Sequence, residues 1–218
     1  MRVSFDQRAG LGQNEGMAGR TNQKERTRVA ILDATRALIA DGSEVSMPAV
    51  AQRALVSEAT AYRYFPDLAT LLREAFAATW PTPAEALKPI AHTNDPVERV
   101  AYAAEFLLRR TIAYEGAVRA LIAASVTRPQ VAAARPANRF GLIDAALEPV
   151  TTIDPTRLAQ LKLDLAVVIS AEALFNLMDL CGLGPDAAVA SVVTTARTLT
   201  TAAVRPGDVR RRRVSTTT

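Results

Sequence analysis

Apolar positions along the chain recur three and four residues apart and fall into separate blocks, and nowhere do they alternate over a strand length. In the first block Ile31, Ala34 and Leu38 form one stripe with Leu32 and Ile39 beside it, which predicts a helix from about Lys24 that stops at Asp41-Gly42. Ser46 opens a second helix, because its hydroxyl can accept from an orphan N–H, and Pro48 fits a first turn that needs no intrahelical donor. That helix ends near Arg53-Ala54, and Ser57 offers another cap a few residues on. Two short helices joined at Ala54-Leu55-Val56 have the layout of a helix-turn-helix. A fourth helix follows Pro66-Asp67, with Leu68, Leu71, Leu72, Ala75, Phe76 and Thr79 on one side, and stops at Trp80-Pro81.

Two proline-bearing connectors, PTPAEALKPI and HTNDP, precede an Ala/Leu/Val-rich half in which every legible segment keeps the helical period. Asp95-Pro96 caps a helix whose Val97, Val100, Ala101, Ala104 and Leu108 share a face. Phe140, Ile143, Leu147 and Val150 mark a helix before Pro149-Thr152, with Val150 at its frayed end. Asp154-Pro155 opens one long helix expected to run to about Leu180, where Cys181-Gly182 ends it; a last helix after Pro185 carries Val189, Val192, Val193, Ala196, Leu199 and Ala203. The chain therefore reads as all-α: an aperiodic, disordered extension over 1–20 in which Met17 is a second candidate start, a three-helix domain over 21–66, a connecting helix over 67–80, a helical bundle over 81–204 and a disordered basic tail over 205–218.

Composition and charge adjust this picture in several places. A hydrophobic content of 49% in 218 residues supports a packed core. One cysteine, Cys181, and one histidine, His92, exclude an internal disulfide and a Cys₂His₂ zinc site, and nothing calls for a cofactor. No uninterrupted apolar run approaches membrane-spanning length, since Lys162, Asp164, Glu172 and Asp179 break Leu158 to Leu180, so a cytoplasmic protein without a membrane partner is expected. The formal net charge of +4 is localised: residues 205–213 hold five arginines against one aspartate, and the rest of the chain balances. Such a tail suits either a solubilising end or sequence-independent attraction to phosphates. A second basic concentration, Arg20, Lys24, Arg26 and Arg28 against Glu25, leads into the first apolar helix.

The candidate chemistry lies on the third helix. Ser57, Thr60 and Arg63 stand three apart, nearly in line, with Glu58, Ala59 and Tyr62 beside them. A small polar face of this kind suits insertion into the major groove, where Arg63 can donate two bonds to guanine and Thr60 can offer hydroxyl or methyl. Tyr62 and Tyr64 carry hydroxyls fit for phosphate contact, or else cap a hydrophobic cluster; Phe65 points back into the domain, and Ala51, Val56 and Ala61 fill the gap between the two helices.

The stretch VAQRALVSEATAYRYFPDLATLL also resembles the DNA-binding signature of the tetracycline-repressor (TetR) family through Val50, Ala51, Ala54, Val56, Ser57, Thr60, Tyr62, Tyr64, Phe65 and Leu71, over about residues 24–80. The resemblance implies a homodimeric transcriptional repressor that binds an inverted-repeat operator in double-stranded DNA and is released by a small-molecule effector. It places DNA contacts on Ser46, Ser57, Glu58, Ala59, Thr60, Tyr62, Arg63 and Tyr64, with Lys24, Arg26 and Arg28 leading in. Two positions depart from the pattern. Leu55 stands where the family has glycine, which is costly if the backbone there has positive φ, and Leu68 replaces a phosphate-binding lysine.

In the C-terminal half, Leu158, Leu161, Leu165, Val168 and Phe175 alone cover a core stripe, yet Leu163, Val167, Ile169, Leu174 and Leu177 lie elsewhere on the cylinder. A partner surface accounts for the excess, as a deep monomeric core also does; the resemblance favours a two-fold four-helix interface through Leu158, Leu161, Leu165, Val168, Val189, Val192, Val193, Ala196 and Leu199. Two polar lines on apolar helices are candidate effector contacts: Tyr102, Phe106, Arg109 and Arg110, and Glu172, Asn176 and Asp179. Interhelical ion pairs or solvated faces look the same. Tyr114, Asn138, Phe140, Phe175 and Met178 are further lining candidates. Neither His92 nor Cys181 sits in a catalytic motif, and no P-loop, dinucleotide or HExxH motif occurs, which argues against an enzyme. The remaining rival is a helical protein-interaction module with a degenerate helix-turn-helix.

Overall fold

The computed structural model describes residues 12–77, 80–127, 138–151 and 153–205, with the side chains of 12–20, 77 and 127 outside the description. Of the extension expected to be disordered over 1–20, residues 1–11 lie outside it, as do residues 206–218 of the basic tail and the side chains of Met17 and Arg20, whereas 12–20 are helical. Among the described residues there are eleven α-helices, one 3-10 turn and no strand. The chain divides into two compact units, Met1–Thr79 with Arg119–Arg135, and Trp80–Val118 with Pro136–Thr218. The helix expected at 67–80 thus belongs to the first unit, together with a segment that no sequence pattern assigned to it.

The first unit is built on α1 (Gly12–Ala40), which packs against α2 (Met47–Arg53) and α4 (Leu68–Ala77), while α2 packs against α3 (Glu58–Tyr64). Ile31, Leu32, Ala34, Leu38 and Ile39 of α1 are buried, as are Val50 and Ala51 of α2, Phe65, and Leu71, Leu72, Ala75 and Phe76 of α4. α1 starts at Gly12 and not near Lys24, which corrects the expected boundary. Once residues 31–39 are packed, each further residue gains a hydrogen bond without a new nucleus, and Gln13, Glu15, Met17 and Ala18 are good helix formers. Its other end is set by Gly42 (φ 66°), with Ser43 N–H donating to Leu38 and Gly42 N–H to Ile39.

The second unit contains α5 (Pro83–Ala86), a 3-10 turn (Lys88–Ile90), α6 (Pro96–Ala113), α8 (Asn138–Leu147), α9 (Pro155–Val168), α10 (Ala171–Asp179) and α11 (Pro185–Val204). α7 (Glu115–Thr127) crosses the division between units. α6 packs on α8, α10 and α11, and its Val100, Ala103, Ala104 and Leu107 share a core with Leu142, Ile143, Ala146 and Leu147 of α8, Leu161 and Leu165 of α9, and Ala196 of α11. Arg99 is buried within this unit. Its guanidinium donates to the carbonyls of Ala146 (3.1 Å) and Ala145 (2.8 Å) near the end of α8, and to that of Thr93 (3.3 Å). A buried cation with every branch hydrogen-bonded meets the carbonyl oxygens that a helix end leaves without partners.

The long helix expected from Asp154 to Leu180 is two helices. Ile169 leaves helical geometry (φ −81°, ψ 69°), and Ser170 (φ −138°, ψ 153°) caps α10 by accepting from Ala173 N–H at 3.1 Å while donating to Val167 at 2.8 Å. Continuous apolar spacing hid the break; the β-branched run Val167-Val168-Ile169 followed by a serine is the local cause. Among the described residues α11 alone is long and apolar enough to cross a bilayer by length and composition, a test that core helices also meet. Its Ala188, Val189, Val192, Ala196 and Thr200 are buried within the unit, where it packs on α6, α9 and α10.

Candidate functional site

The exposed surface around α3 is assembled by two caps. Ser46 Oγ accepts from Ala49 N–H (3.3 Å) to start α2, and Ser57 Oγ accepts from Thr60 N–H (3.2 Å) to start α3. Between them Leu55 takes φ 56°, the one positive-φ residue other than glycine among the described residues, and its side chain is 93% exposed. Left-handed backbone costs a leucine roughly 1–2 kcal/mol, so the missing glycine is met by strain and not by another turn type. Val56 N–H still reaches Ala51 O (3.0 Å), and Leu55 N–H reaches Gln52 O (3.2 Å), which holds the turn closed.

α3 buries one residue, Ala61, and turns the rest of its length outward. Glu58, Ala59, Tyr62 and Arg63 are exposed, and Thr60 and Tyr64 are half-buried. Phe65 is buried, as the sequence predicts. The Arg63 guanidinium lies 5.6 Å from the Tyr64 ring centroid, which limits its sweep and leaves its charge in place. Ser57 Oγ and Thr60 Oγ1 are 2.9 Å apart and bond to each other, so one of their two protons is used inside the cap. The outward chemistry is therefore an acid at the start of the helix, methyl groups in the middle, and a phenol and a guanidinium near its end.

Three basic candidates on α1 divide. Lys24 and Arg26 are exposed. Arg28 is half-buried, ion-paired with Glu74 of α4, and its guanidinium lies 5.4 Å over the Phe65 ring. It ties α1 to α4 and to the end of α3. Arg53 similarly binds Asp41 at 3.1 Å, holding α2 to the loop after α1.

Of the effector candidates, Tyr102, Phe106, Arg109 and Arg110 line an open cleft of about 320 Å³ together with Glu105 and Ala113. Arg109 is committed to Asp186, with Glu105 3.6 Å away, and the Asp186 hydrogen bond raises its guanidinium above the ordinary value. Arg110 lies within a ring cluster, 4.8 Å from the Trp80 centroid, 5.2 Å from Tyr114 and 5.9 Å from Phe106. Sequence reasoning missed Glu105, Ala113 and Trp80. The first two continue the Tyr102 stripe at helical spacing; Trp80 sits alone on a connector, where no period reveals it.

The other effector candidates are not brought to this cleft. Asn176 and Asp179 are exposed on α10, and Glu172 is ion-paired with Arg139 of α8 at 3.7 Å. Phe140 is also exposed, beneath Arg139 at 4.9 Å, and Phe175 is in the core; Asn138 and Met178 are half-buried away from the cleft lining. The interface candidates need a similar correction. Leu161, Leu165, Val189, Val192 and Ala196 are buried inside the second unit of the single chain, and Leu158, Val193 and Leu199 pack against its core, with Val168 half-buried. A core stripe and an interface stripe have the same period, and the buried set took the positions the interface was expected to use. Two large apolar residues of α9 are left outside, Leu163 (61% exposed) and Val167 (73%), one turn apart.

Residues 31–75 match the sequence model of a family described as bacterial regulatory proteins, tetR family. No curated protein matches the chain.

Proposed function

We propose that this chain, whose residues 31–75 match the tetR-family model, is a DNA-binding transcriptional regulator that acts in the cytoplasm as a homodimeric, effector-released repressor reading an inverted-repeat operator. The observation that carries this reading is α3 itself, a capped two-turn helix whose single buried side chain is Ala61 and whose Glu58, Ala59, Tyr62 and Arg63 are exposed. Its first turn would enter the major groove. Arg63 would donate to guanine O6 and N7, Tyr62 and Tyr64 would reach phosphates, and Lys24 and Arg26 would add salt-dependent attraction from α1.

A two-fold site needs two copies of α3 about one helical turn of duplex apart, roughly 34 Å, which calls for a dimer. Leu163 and Val167 on α9, with Ala190, Thr194 and Thr198 outward on α11, supply an apolar, small-residue surface for it. The cleft along α6 is the reading's effector site, with Tyr102 and Phe106 as apolar walls. An effector releases DNA only if it binds the DNA-incompetent arrangement more tightly, since equal affinity for both shifts nothing.

Footprinting on the DNA beside the gene, with affinity measured from low to high salt, tests the reading. A protected inverted repeat and a steep log–log salt slope are expected, and Arg63→Ala should weaken that binding. Flat salt dependence with no protected repeat would instead favour the protein-interaction module.

A further inference from the structure

Leu55 combines two features that no packing need explains. It is 93% exposed, the most exposed of the large hydrophobic side chains among the described residues, and its backbone has the left-handed φ of 56° that glycine would adopt without strain. Within its own domain the side chain has no enclosing wall, so its methyl groups contribute little to folding while the backbone beneath them is held at a cost. Strained residues of this kind concentrate where a ligand is met. The position supports that: Leu55 lies two residues before the Ser57 cap, next to the exposed first turn, Glu58 and Ala59, that begins the helix face offered to DNA.

Resting on the reading of α3 as the groove helix, we propose that Leu55 is a specificity-determining contact that seats its side chain against the 5-methyl group of a thymine at the edge of each half-site. The 5-methyl of thymine is the apolar group that base edges present in the major groove, and an aliphatic side chain meets it without a hydrogen bond. The left-handed turn is what carries the side chain out of the domain ahead of α3. Because the contact is uncharged, it adds affinity and base preference without displacing counterions.

The experiment uses the full-length protein and a duplex that it selects from a random-sequence library. Each thymine is replaced in turn by deoxyuridine, which removes the methyl alone, and binding is followed across salt for the native chain, Leu55→Gly, Leu55→Asn and Leu55→Met. One thymine per half-site should weaken native binding about 3- to 10-fold when demethylated, as burial of a methyl and its neighbours predicts. Leu55→Gly and Leu55→Asn should bind the unmodified duplex about that much more weakly, with no further loss at the same position. Leu55→Met should keep the methyl dependence, and in all variants the salt slope should stay unchanged, whereas loss of a phosphate contact would lower it by about one. Leu55→Gly should also raise the melting temperature, which separates lost contact from lost folding. Additive losses at every thymine, or native affinity in Leu55→Gly and Leu55→Asn, would overturn the proposal. Failure of the native protein to select any duplex would remove the groove reading itself, and this inference with it.

Discussion

At the scale of single residues, the two arginines flanking Phe65 illustrate how chemistry of one type is assigned to different work. Arg63 projects from α3 into solvent beside the Tyr64 ring, whereas Arg28 is paired to Glu74 and spread over Phe65. Replacing Arg63 with Ala should cost about 1–3 kcal/mol of operator binding and relax preference at one base pair, with folding unchanged. Replacing Arg28 should do the reverse: a partly exposed ion pair plus a ring contact is worth about 1 kcal/mol, so the melting temperature should fall by a few degrees while operator affinity per folded molecule holds. Anisotropy titrations run beside calorimetry separate the two, and loss of affinity in Arg28→Ala without loss of stability would return it to the phosphate contacts. The exposed face of α3 was legible residue by residue, because the cap at Ser57 and the helical spacing from it to Arg63 follow a short-range rule. The fate of Arg28 was not, because its partner is forty-six positions away and several acidic residues of similar character compete for it.

Among elements, the legible features were those written locally. Ser46 with Pro48, Ser57, Asp95 with Pro96 and Asp154 with Pro155 all start helices where their spacing says they should, and Gly42 and Gly182 end them with positive φ. The break between α9 and α10 was not legible, since apolar spacing continues through Ser170 and the choice between core helix and cap is made by packing. The cap is testable: Ser170→Ala should destabilise the protein by about 1 kcal/mol, read as a fall of roughly 2–4 °C in melting temperature, and Ser170→Thr should recover most of it. A full-strength protein after Ser170→Ala would mean the two helices are held apart by core contacts alone. The capping box of α5 gives a pH dependence with a definite sign. Bonds from the Thr82 backbone N–H and hydroxyl hold the Glu85 carboxyl below its ordinary value. Its contribution is therefore present at neutral pH and fades as the solution is acidified through that lowered value; Glu85→Gln should remove this component of the acid titration of stability.

For the whole molecule, the apolar stripes of the C-terminal half carried two meanings that one sequence could not separate. Leu165 and Ala196 are buried within the single chain, whereas Leu163 and Val167 remain outside. The two sets should respond differently. If the proposed dimer forms through α9, Leu163→Glu with Val167→Glu should leave the melting behaviour of the single chain nearly intact and shift sedimentation from dimer to monomer, with operator affinity lost in step. Leu165→Ala should cost about 2–5 kcal/mol of folding stability at any protein concentration. A dimer that survives both glutamates would place the two-fold contact elsewhere on the bundle.

Arg99 has a further consequence for motion in the second unit. Because its branches end on carbonyls of Ala145 and Ala146, the end of α8 is fastened by a side chain that belongs to α6. Neither helix can fray there without stranding a cation in an apolar interior, so the pair should open as one cooperative block, and deuterium uptake at the amides of both should rise together on a single timescale.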